Sequence, residues 1–166
     1  MIHPMHDSGQ TLTLWLPNEA ATERLGAILA PQMRPGMRIF LRGGLGAGKT
    51  TLVRGLLHAL GHAGRVKSPS YTLVEPYTIS SLYLYHFDFY RFHDPNEWTD
   101  AGFRELFASR AVCLVEWPEK AEGLLPHPDL DIQLAAWEQG RRAVLVAHSD
   151  SGEQCVSALK SPESFS

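Results

Sequence analysis
Residues 11–16, Thr-Leu-Thr-Leu-Trp-Leu, alternate polar and apolar with the period of two that a half-buried strand requires. After Pro17 the rhythm lengthens, and residues 20–30 predict a helix with Asn18 as its N-cap. Proline and glycine punctuate residues 31–36 as a turn, and residues 37–42 form a short apolar run suited to a buried strand. Leu52, Val53, Leu56, Leu57 and Leu60 then recur at helical spacing over residues 51–60, which stops near Gly61. A polar loop with Gly64 and Pro69 spans residues 61–70. Residues 71–77 and 82–88 predict two strands joined by a turn around Ser80 and Ser81. Asp94-Pro95-Asn96-Glu97 opens a helix that continues to about Phe107, and residues 111–116 are a continuous apolar strand closed by a carboxylate. Residues 131–137 and 141–147 make a hairpin around Gln139 and Gly140. Past Ser149 the apolar rhythm fades, so residues 150–166 are expected to be a mobile C-terminal tail. Strands interleaved with helices predict an α/β fold: a single domain over residues 1–149, with a central mixed β-sheet flanked by helices.

Composition narrows this picture without changing it. At 166 residues, 44% hydrophobic and 20% charged, the chain can bury one proper core. No apolar stretch reaches membrane-span length, and Met1 to Asp7 lack the basic start and apolar core of a signal peptide. Cys113 and Cys155 therefore read as free thiols, and the expected location is the cytoplasm. Between Gln32 and Lys67 lie seven basic residues and no acidic one, whereas beyond Lys67 fifteen acidic residues face seven basic. Such a stretch suits a solvated face with a local polyanion site; the overall charge of −3 is not that of a chain that grips nucleic acid by itself.

The candidate chemistry sits between the strand at 37–42 and the helix at 51–60. Residues 43–50, Gly-Gly-Leu-Gly-Ala-Gly-Lys-Thr, fit the phosphate-loop pattern G-x-x-x-x-G-K-[ST] in full. Gly43, Gly46 and Gly48 free the backbone to turn successive N–H groups of Gly44, Leu45, Ala47 and their neighbours toward phosphate oxygens. Lys49 reaches the β- and γ-phosphates, Thr50 offers a hydroxyl to Mg²⁺, and Thr51 continues into a helix whose positive end faces the same anion. Strand, glycine loop and helix stand in the order this chemistry needs.

A nucleotide-bound Mg²⁺ also wants a carboxylate at the end of a neighbouring buried strand. Glu116 closes the apolar run at 111–116, and Asp88 closes the strand at 82–88, where it can hold the metal or orient the attacking water. His86 reads as a packed or hydrogen-bonded strand residue rather than a catalyst. Trp117 is open to two readings, shielding the site or packing in the core. No His or Cys pair has zinc spacing. Lys67-Ser68-Pro69-Ser70 is a hydroxyl-rich loop of the kind with which nucleotide switches sense a γ-phosphate.

Four segments in order carry a resemblance: residues 43–51, Val-Lys-Ser-Pro-Ser-Tyr-Thr-Leu-Val at 66–74, Tyr-His-Phe-Asp-Phe-Tyr-Arg at 85–91 and Leu-Val-Glu-Trp-Pro at 114–118. Together they closely resemble the bacterial TsaE family, also called YjeE, over about residues 10–147. The resemblance implies a P-loop NTPase-type domain that binds ATP/ADP and Mg²⁺. It implies a weak ATPase, stimulated by the TsaB–TsaD complex, in the synthesis of threonylcarbamoyladenosine in tRNA, with tRNA reached only through that complex. It implies Lys49 and Thr50 on phosphate and Mg²⁺, Glu116 as the Walker B carboxylate, and Asp88 assisting metal or water. Ser70 keeps a hydroxyl where many members carry threonine, whereas Gly44 replaces a residue that is commonly acidic. Two alternatives stay open from the residues: a small-molecule kinase, with Arg91 or Arg104 over the phosphates, and a non-hydrolytic ATP switch. A GTPase is disfavoured because no [NT]-K-x-D sequence occurs.

Overall fold
Eight strands share one sheet in the order β1-β2-β8-β7-β3-β6-β5-β4. The computed structural model describes residues 2–7, 10–69 and 71–160. The strands are β1 (His3–Asp7), β2 (Thr11–Leu16), β3 (Arg38–Arg42), β4 (Val74–Ile79), β5 (Leu82–Asp88), β6 (Val112–Glu116), β7 (Leu130–Trp137) and β8 (Gly140–Ala147). Four central strands run parallel, since β3 pairs in parallel with both β6 and β7, and β5 with β6. Antiparallel pairs β1–β2, β2–β8, β7–β8 and β4–β5 complete the sheet on either side. The expected single mixed α/β sheet is the observed one.

Side chains alternate across the sheet and build two cores. Ile39, Leu41, Val112 and Leu114 point to one face, where α1 (Glu19–Leu29), α2 (Lys49–Ala59) and α5 (Asp150–Lys160) cover them. Phe40, Phe87, Cys113 and Val115 point to the other, into an aromatic cluster with Phe89, Trp98, Phe103 and Phe107. That layer comes from α3 (Pro95–Asp100) and α4 (Phe103–Ala108) and the segment before them. On the first face α1 and α2 touch backbone to backbone. A Cβ on Gly26 would lie 2.1 Å from the Leu52 carbonyl oxygen, and one on Gly55 would lie 2.1 Å from that of Glu23.

Several expectations need correction. The tail is no tail as far as Lys160: α5 buries Gly152, Cys155, Val156 and Leu159 on one helical stripe against the sheet. A stripe this narrow leaves most of its residues polar, which hid the period. Residues 161–166 lie outside the described part. The helix expected from 95 to 107 is two, broken at Gly102, which takes a left-handed φ of 68°. β4 begins at Val74 rather than 71, because Leu73 turns the chain with φ 66° and Tyr71 and Thr72 are in a turn. Pro76 is tolerated in β4 because that strand is the sheet edge. The short β1, which the alternating pattern did not announce, adds a strand to the opposite edge. Asn18 caps α1 as expected, its side-chain oxygen accepting from the Ala21 N–H at 2.9 Å.

Both cysteines are free and buried, and burial pushes their thiols up to about 12 for Cys113 and about 11 for Cys155. Among the described residues no helix is long and apolar enough to cross a membrane.

Candidate functional site
The parallel strands β3, β5 and β6 end along one edge, where ligands of open α/β sheets bind. Beyond β3 the chain makes the glycine loop, while β5 and β6 end in Asp88 and Glu116, opposite each other in register. Between them lies a cleft of about 660 Å³.

The loop has the conformation its glycines allow, with φ 144° at Gly43, 75° at Gly46 and 106° at Gly48. Leu45 to Thr51 line the cleft. Gly43 and Gly44 contribute through their carbonyls, which accept from the Lys49 ammonium, Gly44 at 3.1 Å. At 4% exposure Lys49 is nearly sealed in. Burial pulls its pKa below the ordinary 10.5, against the opposing pull of Glu116, Asp88 and Glu119. Its Nζ lies 4.0 Å from the centre of the Trp117 ring, which both lines the cleft and packs against the aromatic core, so the two readings of that residue hold together. Trp117 holds the ring there through a left-handed φ of 57° directly after β6.

Both carboxylates are buried, Glu116 at 3% and Asp88 at 6% exposure. The Thr50 hydroxyl lies 3.0 and 3.2 Å from the two Glu116 oxygens. His86, fully buried, places Nε2 2.6 Å from Glu116 Oε2, in keeping with a hydrogen-bonded strand residue. Asp88 accepts from the Ser68 hydroxyl and, at 2.9 Å, from the Tyr90 N–H. Its own N–H donates to the Leu73 carbonyl at 3.0 Å. The loop between α2 and β4 is thus fastened to Asp88 at two points. Ser70, expected in that loop's sensing role, lies outside the described residues.

Other residues of the cleft were not expected. Asn18, Glu19 and Thr22 enter from the start of α1, and Gln139, Gly140 and Arg141 from the β7–β8 turn. Arg141 donates to the loop carbonyls of Ala47 at 3.1 Å and Gly46 at 2.9 Å. This guanidinium thus ties the second half of the loop to the β7–β8 turn, while Lys49 holds the first half. Nothing local in the sequence marks Arg141, because its partners are more than ninety residues away. Arg91 lines the cleft with its guanidinium 4.8 Å from the exposed Tyr71 ring. Arg104 does not join it and borders a separate groove of about 270 Å³ with Arg38 and Trp98.

The donor set fits a nucleotide with a hard divalent cation. Thr50 and the two carboxylates could supply oxygen ligands, and the remaining ones would come from phosphate and water. Among the described residues no group of three His, Cys, Asp or Glu side chains forms a metal cage of its own. The cradle is also shaped by absence of side chains: a Cβ on Gly43 would sit 2.4 Å from the Leu134 carbonyl oxygen.

Known proteins resemble this chain over most of its length. The family model described as threonylcarbamoyl adenosine biosynthesis protein TsaE matches residues 16–144. A protein of Haemophilus influenzae named tRNA threonylcarbamoyladenosine biosynthesis protein TsaE is 40% identical over 155 residues, 90% of this chain and 98% of the relative. One of Bacillus subtilis with the same name is 40% identical over 69% of this chain and 72% of its own. The crystal structure of YdiB of Bacillus subtilis superposes with a TM-score of 0.75 at 29% identity, covering 93% of this chain and 97% of that one.

Proposed function
The chain belongs to the TsaE family, with a role in threonylcarbamoyladenosine synthesis in tRNA, and on that premise we propose that it is a Mg²⁺-dependent ATPase acting with the TsaB–TsaD complex. The observation that carries the reading is the Thr50–Glu116 contact beside a glycine loop already folded around Lys49. Backbone N–H groups of the loop and the start of α2 take the phosphates, drawing Lys49 off the Gly43 and Gly44 carbonyls onto phosphate oxygen. Thr50, Glu116 and Asp88 would hold Mg²⁺, which would supply positive charge to neutralise the phosphates. Asp88 orients the attacking water, and Trp117 covers the ammonium and keeps bulk water off it.

Hydrolysis also resets a switch. The Ser68 hydroxyl donates to the Asp88 carboxylate, while the Leu73 carbonyl accepts from the Asp88 backbone N–H, so a change in the carboxylate's partners releases the loop at Ser68 and leaves its far end anchored. With ATP bound the loop completes a docking surface for TsaB–TsaD; after hydrolysis the surface relaxes. tRNA is met through that complex, in keeping with the chain's mild negative charge.

Calorimetric titration with ATP and with GTP, with and without Mg²⁺, tests the binding half of the reading. ATP should bind, Mg²⁺ should tighten it, and Lys49→Ala should abolish it. A protein that binds neither nucleotide sinks the proposal, and phosphate transfer to a metabolite rather than to water would make it a kinase.

A further inference from the structure
Glu116 is held by a residue that the reaction as described does not use. His86 lies on β5 in register with Leu114 of β6, two residue pairs before Asp88 and Glu116, and its ring is completely buried. Its Nε2 stands 2.6 Å from Glu116 Oε2. A carboxylate only accepts, so the bond is Nε2–H to oxygen, and the other ring nitrogen, Nδ1, is buried without a partner. A buried polar atom left unsatisfied costs free energy, which a merely space-filling leucine would avoid. The ring is kept there for what Nε2 does.

What it does is divide the two carboxylate oxygens. Oε2 carries the 2.6 Å bond from His86 and the 3.0 Å contact to Thr50, while Oε1 carries only the longer 3.2 Å Thr50 contact. Glu116 ends β6 on a side chain with three rotatable bonds, and its cavity neighbours Thr50 and Lys49 would otherwise let it settle on the ammonium. We propose that His86 is a positioning residue for Mg²⁺, pinning Glu116 through Oε2 so that Oε1 and the Thr50 hydroxyl remain turned to the metal. The inference rests on the Mg²⁺–ATP reading above. It predicts that His86 governs the metal dependence of nucleotide binding rather than nucleotide binding itself.

The test is ATP affinity measured by calorimetry across a Mg²⁺ titration and in chelator, for wild type, His86→Leu and His86→Gln. His86→Leu should raise the half-saturating Mg²⁺ by roughly 10-fold or more, the usual effect of losing a partner that orients a metal ligand. Its affinity for metal-free ATP should match wild type, and His86→Gln, which keeps an N–H donor, should recover much of the loss. Equal losses with and without metal, or an unchanged Mg²⁺ midpoint, overturn the inference. Wild type that binds ATP with no Mg²⁺ enhancement, or not at all, overturns the nucleotide reading and this inference with it, and is told apart because the variants are then irrelevant to the result. Should the leucine variant not fold, isotope-labelled histidine in the unaltered protein gives the answer by magnetic resonance. The His86 Nε2–H resonance should move when Mg²⁺ is added to the ATP complex, and a signal indifferent to Mg²⁺ refutes the role.

Discussion

Replacing the loop glycines one at a time by alanine should produce a graded series set by backbone geometry. Gly44 has no positive φ, and a Cβ there would meet nothing within 4 Å, so Gly44→Ala should stay within about 0.5 kcal/mol of wild type. Gly46 has open space but a φ of 75°, so Gly46→Ala incurs only the left-handed penalty, about 1–2 kcal/mol. Gly43 suffers twice. Its φ of 144° is strained for any side chain, which costs ~1–3 kcal/mol. Its Cβ would also lie 2.4 Å from the Leu134 carbonyl oxygen and 3.1 Å from the Ala47 Cβ. Relief requires β7 or the loop to move, roughly another 1–3 kcal/mol by analogy with overpacked cores. At ~2–4 °C per kcal/mol for a chain of this size, Gly43→Ala should melt on the order of 10 °C below wild type. Urea unfolding and thermal melts read the stability, and ATP titration should show affinity falling in the same order, because moving the loop misdirects its N–H groups. A Gly43→Ala protein as stable as Gly44→Ala would refute the reasoning, since it would mean that the loop is not held against β7 as described.

Three further outcomes follow from the same geometry. Burial lowers the Lys49 pKa from 10.5, so the unfolded chain binds more protons in the alkaline range just below 10.5 and folding stability rises with pH there. The stability gap between Lys49→Met and wild type should therefore narrow as pH climbs toward 10.5, and a gap constant with pH in urea unfolding would contradict the depressed value. Nucleotide should change tryptophan emission as Lys49 leaves the Trp117 ring, 4.0 Å away. The change should vanish in Trp117→Phe; its survival would place the reporter at another tryptophan. Deleting residues 150–166 strips Cys155, Val156 and Leu159 from the core, at about 1.5–3 kcal/mol for each large apolar side chain. The truncated protein should melt far lower or aggregate, and an unchanged melt would restore the mobile-tail expectation.

Local signals were readable where they coincide with a local cause. The glycine loop, the Asn18 cap, β2, β5 and the two strand-end carboxylates each follow from residues adjacent in the chain. α5 was hidden because Cys155, Val156 and Leu159 occupy a narrow stripe among polar residues, and its burial depends on strands already formed elsewhere. The break at Gly102 was visible as a residue but not as a turn, since glycine is tolerated inside helices as well as after them. Arg141 and the His86–Glu116 bond were illegible for a different reason. Arg141 joins β8 to the glycine loop across 94 residues and His86 joins β5 to β6 across 30, and the sheet order that brings these segments together is not written in periodicity. The sequence named the carboxylate at the end of β6; only the fold names its neighbours.

Phosphate release from ATP–Mg²⁺, measured with the purified chain alone and with TsaB–TsaD, tests the central claim most directly, with Lys49→Ala as the blank. Slow release that the complex accelerates, and that the variant lacks in both settings, is the predicted result. Release indifferent to TsaB–TsaD, or equal in Lys49→Ala, would contradict a partner-gated ATPase built on this loop.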